Sequence, residues 1–150
     1  MVRDLRQVIV LKRMTSTLVL ALLSGCSFPG VTGPPPPEVV PVDYMHAASA
    51  LAIDDFSKAQ GALTALSRNS TGDLRDRAKA AAAAADIETM RERFKALTEE
   101  VAIHMSYPDD YAVAFCPRYK DGSKWIQKRE APVANPYLGK SVPACGGFVD

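Results

Sequence analysis

The sequence has few of the features on which common enzymatic and nucleic-acid-binding functions depend. Histidine occurs only twice in 150 residues, which leaves little basis for a histidine-rich metal centre or acid–base site. Lysine and arginine number 18 against 17 aspartates and glutamates, so there is no basic excess to neutralise phosphates. No glycine-rich phosphate loop follows a predicted strand. We therefore expect a protein that is not an enzyme and does not bind nucleic acid.

A long apolar run is also missing, because no uninterrupted segment reaches the ~20 residues that a membrane-spanning helix needs. The apolar segment at residues 15–23 is short and follows Lys12 and Arg13. That arrangement is typical of a secretory signal peptide. It ends in Leu23-Ser24-Gly25-Cys26, which resembles the cleavage box of bacterial lipoproteins.

This resemblance implies that residues 1–25 are a signal peptide and that Cys26 is the lipidation site. The thiol would take a diacylglyceryl group and the freed amine a further acyl chain, and two or more chains anchor stably where one binds only marginally. In such lipoproteins the residue after the lipidated cysteine directs sorting between the two membranes. Here it is Ser27 rather than an aspartate, which implies the outer membrane. We take Met1 as the start, since a start at Met14 would leave the signal without its cations. The alternative is an ordinary signal peptide that a cysteine happens to follow.

The mature chain is expected to consist of a tether, residues 26–42, and one domain, residues 43–150. Glycine and proline dominate the tether, and the four consecutive prolines at 34–37 favour an extended polyproline II segment. The tether would hold the domain away from the membrane. A proline-rich ligand of an SH3-type domain is the other interpretation of this segment.

The first part of the domain has the apolar periodicity of helices. Asp43 is a predicted N-cap for a helix that continues to Leu66, and Asp73 for a second helix that runs into six alanines. Asp86 predicts either a third N-cap or a small kink. After it the apolar stripe steps by 3, 4, 3 and 4 through Ile87, Met90, Phe94, Leu97 and Val101.

This periodicity predicts a mostly α fold, a small antiparallel three-helix-type bundle. Glu88–Arg91 and Glu92–Lys95 are predicted (i, i+3) ion pairs on the side of the third helix opposite its stripe.

The last 40 residues predict a loop-rich lobe rather than further helices. Residues 111–115 alternate as a short strand would, and turns are expected at Asp121-Gly122, around Asn135-Pro136-Tyr137 and at Cys145-Gly146-Gly147. With Cys26 lipidated, two cysteines remain, Cys116 and Cys145, and an even number of cysteines in an oxidising compartment is typical of disulfide pairing. A disulfide between them would pin the lobe by closing a loop of about 30 residues, worth ~3–4 kcal/mol. A metal site and a free or redox-active pair are the open alternatives.

The C-terminal region contains a series of residues in a recognisable order: Cys116-Pro117, Asp121-Gly122, Trp125, Asn135-Pro136-Tyr137, Gly139 and Cys145-Gly146. This signature resembles a bacterial domain of unknown function, and the resemblance covers roughly residues 44–148. That domain occurs alone in exported proteins or appended to periplasmic adaptor subunits of copper/silver-type heavy-metal efflux pumps. The resemblance implies a helical bundle with a cysteine-containing C-terminal segment and a role in handling copper or another soft metal.

The chain departs from that family where methionines are usual. Arg118 follows Cys116-Pro117 and Val142-Pro143 precede the second cysteine, so both thioethers that would favour Cu(I) are replaced. His104 and Met105 follow the stripe of the last helix. If the segment at Cys116 folds over that helix end, the two would join Cys116 and Cys145 in a mixed nitrogen and sulfur site. The other interpretation of His104 is a residue placed by the helix dipole.

Two functions follow from these observations. One is a non-enzymatic, outer-membrane lipoprotein on the periplasmic side that binds or relays a soft metal such as copper, in association with an efflux adaptor protein. The alternative is a structural or protein-interaction envelope lipoprotein with a disulfide and no metal.

Overall fold

Four α-helices and two small β-sheets build the part of the protein that the structure, a computed structural model, describes, namely residues 38–149. The predicted signal peptide, Cys26 and the tether up to residue 37 lie outside the described residues. In chain order the elements are β1 (Glu38–Val39), α1 (Val42–Ala52), α2 (Phe56–Asn69), α3 (Gly72–Ala82), α4 (Ile87–His104), β2 (Met105–Ser106), β3 (Tyr111–Cys116), β4 (Ser123–Lys128), a 3₁₀ turn (Gly139–Ser141) and β5 (Gly147–Val149). None of the helices within the described residues is long and apolar enough to cross a membrane.

The expected fold class is confirmed only in part, because residues 111–149 contain a sheet as well as loops. The sheet is antiparallel, with strand order β4-β3-β5 and Ala114 opposite both Trp125 and Phe148. A second pair, β1 and β2, is parallel and joins the start of the described chain to the end of α4. The domain is therefore mixed α/β rather than a three-helix bundle.

The first predicted helix is in fact two helices. Ile53 caps the end of α1, Asp54 has φ 57°, and Asp55 caps the start of α2 by accepting a hydrogen bond from the backbone N–H of Lys58 at 3.0 Å. Aspartate tolerates the left-handed region better than most residues and is a strong N-cap. The Asp54-Asp55 pair thus interrupts a helix that apolar periodicity alone would continue.

Two of the three predicted caps are wrong by position. The helices begin after Pro41 and Thr71, neither of which makes a side-chain cap, so Asp43 and Asp73 lie inside the first turn. Acidic side chains are favoured there by the helix dipole. The cap at Asp86 is confirmed, since its Oδ1 accepts from the backbone N–H of Thr89 at 2.8 Å.

The core lies where the helices meet the sheet. The predicted stripe of α4 is confirmed, with Met90, Phe94, Leu97 and Val101 fully buried. Tyr44 of α1, Trp125 and Ile126 of β4, and Tyr137 close this core from the other side; Phe94 stacks on Tyr44 and contacts Tyr137.

The polar side of α4 differs from the prediction. Arg91 is 4% exposed rather than solvated, although its predicted pairing with Glu88 is confirmed. The predicted Glu92–Lys95 pair is wrong. Glu92 pairs with Lys120, from the turn before β4, and Nζ of Lys95 lies 3.8 Å from Oε1 of Glu99. The ion pair of Glu92 is therefore set by a tertiary contact, whereas Arg91 and Lys95 each pair with a glutamate of α4.

Candidate functional site

The predicted disulfide between Cys116 and Cys145 is present. Their Cα atoms are 5.7 Å apart across a separation of 29 residues. The bond joins the end of β3 to the chain just before β5. Gly146 has φ 120°, and a Cβ there would lie 2.6 Å from the carbonyl oxygen of Phe115 and 2.9 Å from the ring of Trp125. The backbone approaches this closely only because residue 146 has no side chain.

The structure brings the two cysteines together but gives His104 and Met105 other partners. His104 is exposed at the end of α4, with Nε2 3.4 Å from a carboxylate oxygen of Glu100. Met105 packs against the hydrophobic core. Within residues 38–149, no group of three or more histidine, cysteine, aspartate or glutamate side chains could hold a metal ion. The four-residue metal site stays a prediction, and it concerns the reduced protein, because both sulfur atoms are bonded to each other here.

The most unusual polar group of the domain is the buried side chain of Arg91. Its Nε donates to the carbonyl oxygen of Pro136 at 3.0 Å, and its Nη2 donates to the carbonyl oxygen of Leu51 at 3.0 Å and to Asp54. Its Nη1 donates to Glu88 at 2.7 Å. A buried cation is tolerated only when its hydrogen bonds are made. One guanidinium therefore fastens α1, α4 and the C-terminal segment to each other.

Asp54 is the bridge between this cation and the 3₁₀ turn. Its second carboxylate oxygen accepts from the backbone N–H of Lys140 at 3.1 Å. The hydrogen bond from Arg91 is the main cause that lowers the pKa of Asp54. Gly139, before Lys140, has φ 55°, and a Cβ there would collide with the Asp54 carboxylate and the Arg91 guanidinium. The turn can reach Asp54 only with glycine at 139.

A second polar cluster consists of buried hydroxyl groups in the core. The hydroxyls of Tyr44 and Thr98 are 3.0 Å apart, and the hydroxyl of Tyr137 donates to the carbonyl oxygen of Lys124 at 2.6 Å. Burial raises the pKa of Tyr44 to about 12 and that of Tyr137 well above its usual value. Both phenols are therefore neutral at physiological pH, so they act as hydrogen-bonding groups of the core.

The hydroxyl of Tyr119 differs from these because it is buried without a hydrogen-bond partner among the described residues. The residue is 8% exposed, and its ring stacks on that of Tyr137 with centroids 5.0 Å apart. Burial, reinforced by the charges of Glu92 and Glu88, raises the pKa of Tyr119 to about 12. The group is thus a protonated donor that lacks an acceptor, an arrangement that costs free energy unless an acceptor arrives.

A cleft of about 390 Å³ collects these groups, and we call it the Arg91 cleft. Its walls include Arg91, Glu88, Asp54, Tyr119, Ile87 and Leu138. It combines a fixed cation, a spare hydroxyl donor and apolar sides, and such a combination suits binding of a small polar group. Sequence reasoning missed the cleft because Arg91 was assigned to the solvated side of α4. The signal that could have found it is the spacing of Arg91, which lies four residues after Ile87 and three before Phe94 of the core stripe.

Comparison with known proteins adds no family to this description: no protein-family model, curated protein or solved structure matches the chain. The cleft is therefore interpreted from its own geometry.

Proposed function

We propose that the protein is a non-enzymatic, lipid-anchored envelope protein whose folded domain acts as a binding module on the periplasmic side of an outer membrane. The anchor would be attached at Cys26, and the residues between Cys26 and β1 would connect it to the domain, since β1 and the start of α1 already belong to the fold. The lipoprotein box and the charged, apolar segment before it support the anchor. The Arg91 cleft supports a binding role.

The single observation that carries this proposal is the Cys116–Cys145 disulfide. Disulfides form and persist in oxidising compartments such as the periplasm and are rare in the reducing cytosol. With two of the three cysteines of the sequence bonded to each other, Cys26 is the one that remains for lipidation. An exported chain with an acylated Cys26 accounts for all three cysteines.

Between the two functions, an interaction protein without a metal is favoured. Both candidate thiolates are used by the disulfide, and Arg118 stands where the resembling family has a thioether. A positive charge beside Cys116 opposes binding of a cation. Relay of copper together with an efflux adaptor would need the disulfide to be reduced first, which releases two thiols per bond.

The anchor is tested by expressing the full chain in a Gram-negative host and measuring the intact mass of the membrane-bound protein. We expect an N-terminus at residue 26 with acyl chains attached. Cys26→Ser should lose the acyl mass and leave the membrane fraction, whereas Ser27→Ala, which keeps the thiol, should stay acylated. A mature protein without acyl mass would reject the proposal.

The metal alternative is tested on the same protein before and after reduction. Titration of the oxidised protein with Cu(I) should give no binding at the cysteines, and the double variant Cys116→Ser/Cys145→Ser, which leaves no free thiol at either position, should not change the result. Stoichiometric binding that appears on reduction and is lost in Cys116→Ser would move the assignment to soft-metal handling.

A further inference from the structure

The geometry points to the Arg91 cleft as a binding site for a carboxylate group, which would bridge the guanidinium of Arg91 and the hydroxyl of Tyr119. The inference rests on the proposed binding role and names the class of ligand for it. The ligand chemistry is shared by two sources, a free small organic acid and the C-terminal carboxylate of a peptide.

The first support is the state of the two donors. Bonds to Leu51, Pro136, Asp54 and Glu88 use four of the five N–H groups that a guanidinium carries, which leaves one on Nη1. The hydroxyl of Tyr119 has no acceptor within residues 38–149 and is shielded from water. Both residues line the same cleft. A carboxylate has two oxygens, one for each of these donors, and charge-assisted hydrogen bonds of this type are the strong ones.

The second support is that the cleft already holds a carboxylate. Glu88 accepts from Nη1 of Arg91 at 2.7 Å, yet its side chain is 68% exposed. Glu88 is the exposed partner of this pair, and the buried Arg91 keeps its bonds to Pro136, Leu51 and Asp54 when Glu88 turns away. Glu88 can therefore swing into solvent at little cost, and an incoming carboxylate would take its place on Nη1.

The charge balance permits this exchange. With Glu88 in place, the cation of Arg91 faces two carboxylates, those of Asp54 and Glu88. Once Glu88 has left, Asp54 balances Arg91 and Lys120 balances Glu92, so an entering anion meets a locally neutral site. Asp54 itself is not exchanged, because it also holds the backbone N–H of Lys140.

The walls of the cleft set the size and character of the ligand. Ile87 and Leu138 are apolar, and the stacked rings of Tyr119 and Tyr137 lie beside them. A volume of about 390 Å³ accepts a carboxylate with a short apolar or amide extension.

The test uses the full chain in detergent micelles, titrated with sodium acetate, N-acetylglycine and N-acetylglycinamide against equal sodium chloride. The readout is the NMR signal of the Arg91 Nε–H, which the carbonyl of Pro136 holds in place. We expect saturable shifts with both acids and none with the amide. Tighter binding of N-acetylglycine than of acetate would assign the site to peptide C-termini, and equal binding to free small acids.

Two variants connect the signal to the cleft without breaking the fold. Tyr119→Phe removes the unpartnered hydroxyl, leaves the ring stack, and should weaken acetate binding roughly tenfold. Glu88→Ala removes the competing carboxylate and should tighten binding about threefold. Glu99→Ala, a matched exposed carboxylate on the same helix, should leave the affinity unchanged.

Equal binding by Tyr119→Phe and the unaltered protein, or equal binding of the amide and the acid, would overturn the inference. Neither outcome concerns the anchor, because Cys26→Ser should bind acetate as the unaltered protein does. Failed acylation with intact acetate binding would reject only the proposed anchor, and acylation with a silent titration would reject only the carboxylate site.

Discussion

The helical region, residues 42–104, and the C-terminal region, residues 105–149, are held together by different kinds of interaction. In the helices, apolar residues three and four positions apart bury one face of each segment, and neighbours along the chain pack on each other. In the C-terminal region the strands are short, and order depends on bonds between residues far apart in sequence. The disulfide spans 29 residues and the Arg91–Pro136 bond spans 45.

This difference teaches where the stability of each region originates. Helical contacts are local and numerous, so the loss of one leaves the others in place. The C-terminal region depends on a few long-range attachments, and losing one frees a whole segment. Substituting a residue of such an attachment in the C-terminal region is therefore expected to lower the free energy of unfolding strongly. Substituting a single contact residue in the helices is expected to lower it little.

The largest effect is expected from removing the disulfide with Cys116→Ala and Cys145→Ala together. The unfolded chain gains the entropy of an open loop, which lowers the free energy of unfolding by roughly 3–4 kcal/mol. Denaturant unfolding measures the loss, and hydrogen exchange locates it: β5 and the segment before it should lose protection well before α1–α4. Cys26→Ser is the control and should leave the folded domain unchanged. Uniform loss of protection in helices and sheet would contradict the division into two regions.

Arg91→Met should come next, with a loss of about 3 kcal/mol. The methionine keeps much of the aliphatic volume but leaves the carbonyl oxygen of Pro136 without its donor and Asp54 without its cation. Arg93→Met on the same helix is the matched control, since Arg93 is exposed, and it should change the free energy of unfolding by about 0.5 kcal/mol or less. Similar losses in both variants would show that Arg91 does not fasten the regions.

Much of the helical region was predictable because its signals are local. The stripe of α4 and the cap at Asp86 follow from spacing and from the hydrogen-bonding chemistry of aspartate alone. The break at Asp54 was not predictable in the same way, because apolar periodicity continues across it. What stabilises the break is the contact of Asp54 with Arg91 and Lys140, and both partners are distant in sequence.

The C-terminal region was predicted less well for the same physical reason. The disulfide and the turn at Asp121-Gly122 carry their own residue signals, and both are confirmed. The sheet was missed because β4 holds a single apolar pair, Trp125-Ile126, and β5 has three residues. Strands this short become stable only through pairing with β3, which sequence patterns do not display. The candidate site was missed because Arg91 was expected on the solvated side of α4 and because Tyr119 belongs to no recognisable sequence motif.

Two glycines provide a sharper contrast between the regions, with effects of opposite sign. Gly139→Ala introduces a side chain at φ 55° and into the space of Asp54 and Arg91, so we expect a loss of about 2 kcal/mol. Gly61 lies exposed in α2 with nothing within 4 Å of an added Cβ. Gly61→Ala should therefore gain about 0.5–1 kcal/mol from helix propensity. Thermal and denaturant unfolding measure both, and a neutral Gly139→Ala would show that the turn can move away from the cation.

The smallest effect should be the acid dependence of the bond between the regions. The folded-state pKa of Asp54 lies below its ordinary value of 3.8 because Arg91 donates to it. Its stabilising contribution is therefore complete above that ordinary value and is lost as the pH falls through the lower, folded-state pKa. Asp54 is 39% exposed, so solvent screening limits the contribution to about 1 kcal/mol or less.

Asp54→Asn should accordingly destabilise the protein near neutral pH, and the difference from the unaltered protein should shrink as the pH falls below about 4. The control is the same comparison in an Arg91→Met background, where no guanidinium is present to lower the pKa of Asp54. There the difference should be smaller at neutral pH and nearly independent of pH. If the two backgrounds gave the same curve, another group would have to cause the acid dependence, and the link between α1, α4 and the C-terminal turn would not pass through this carboxylate.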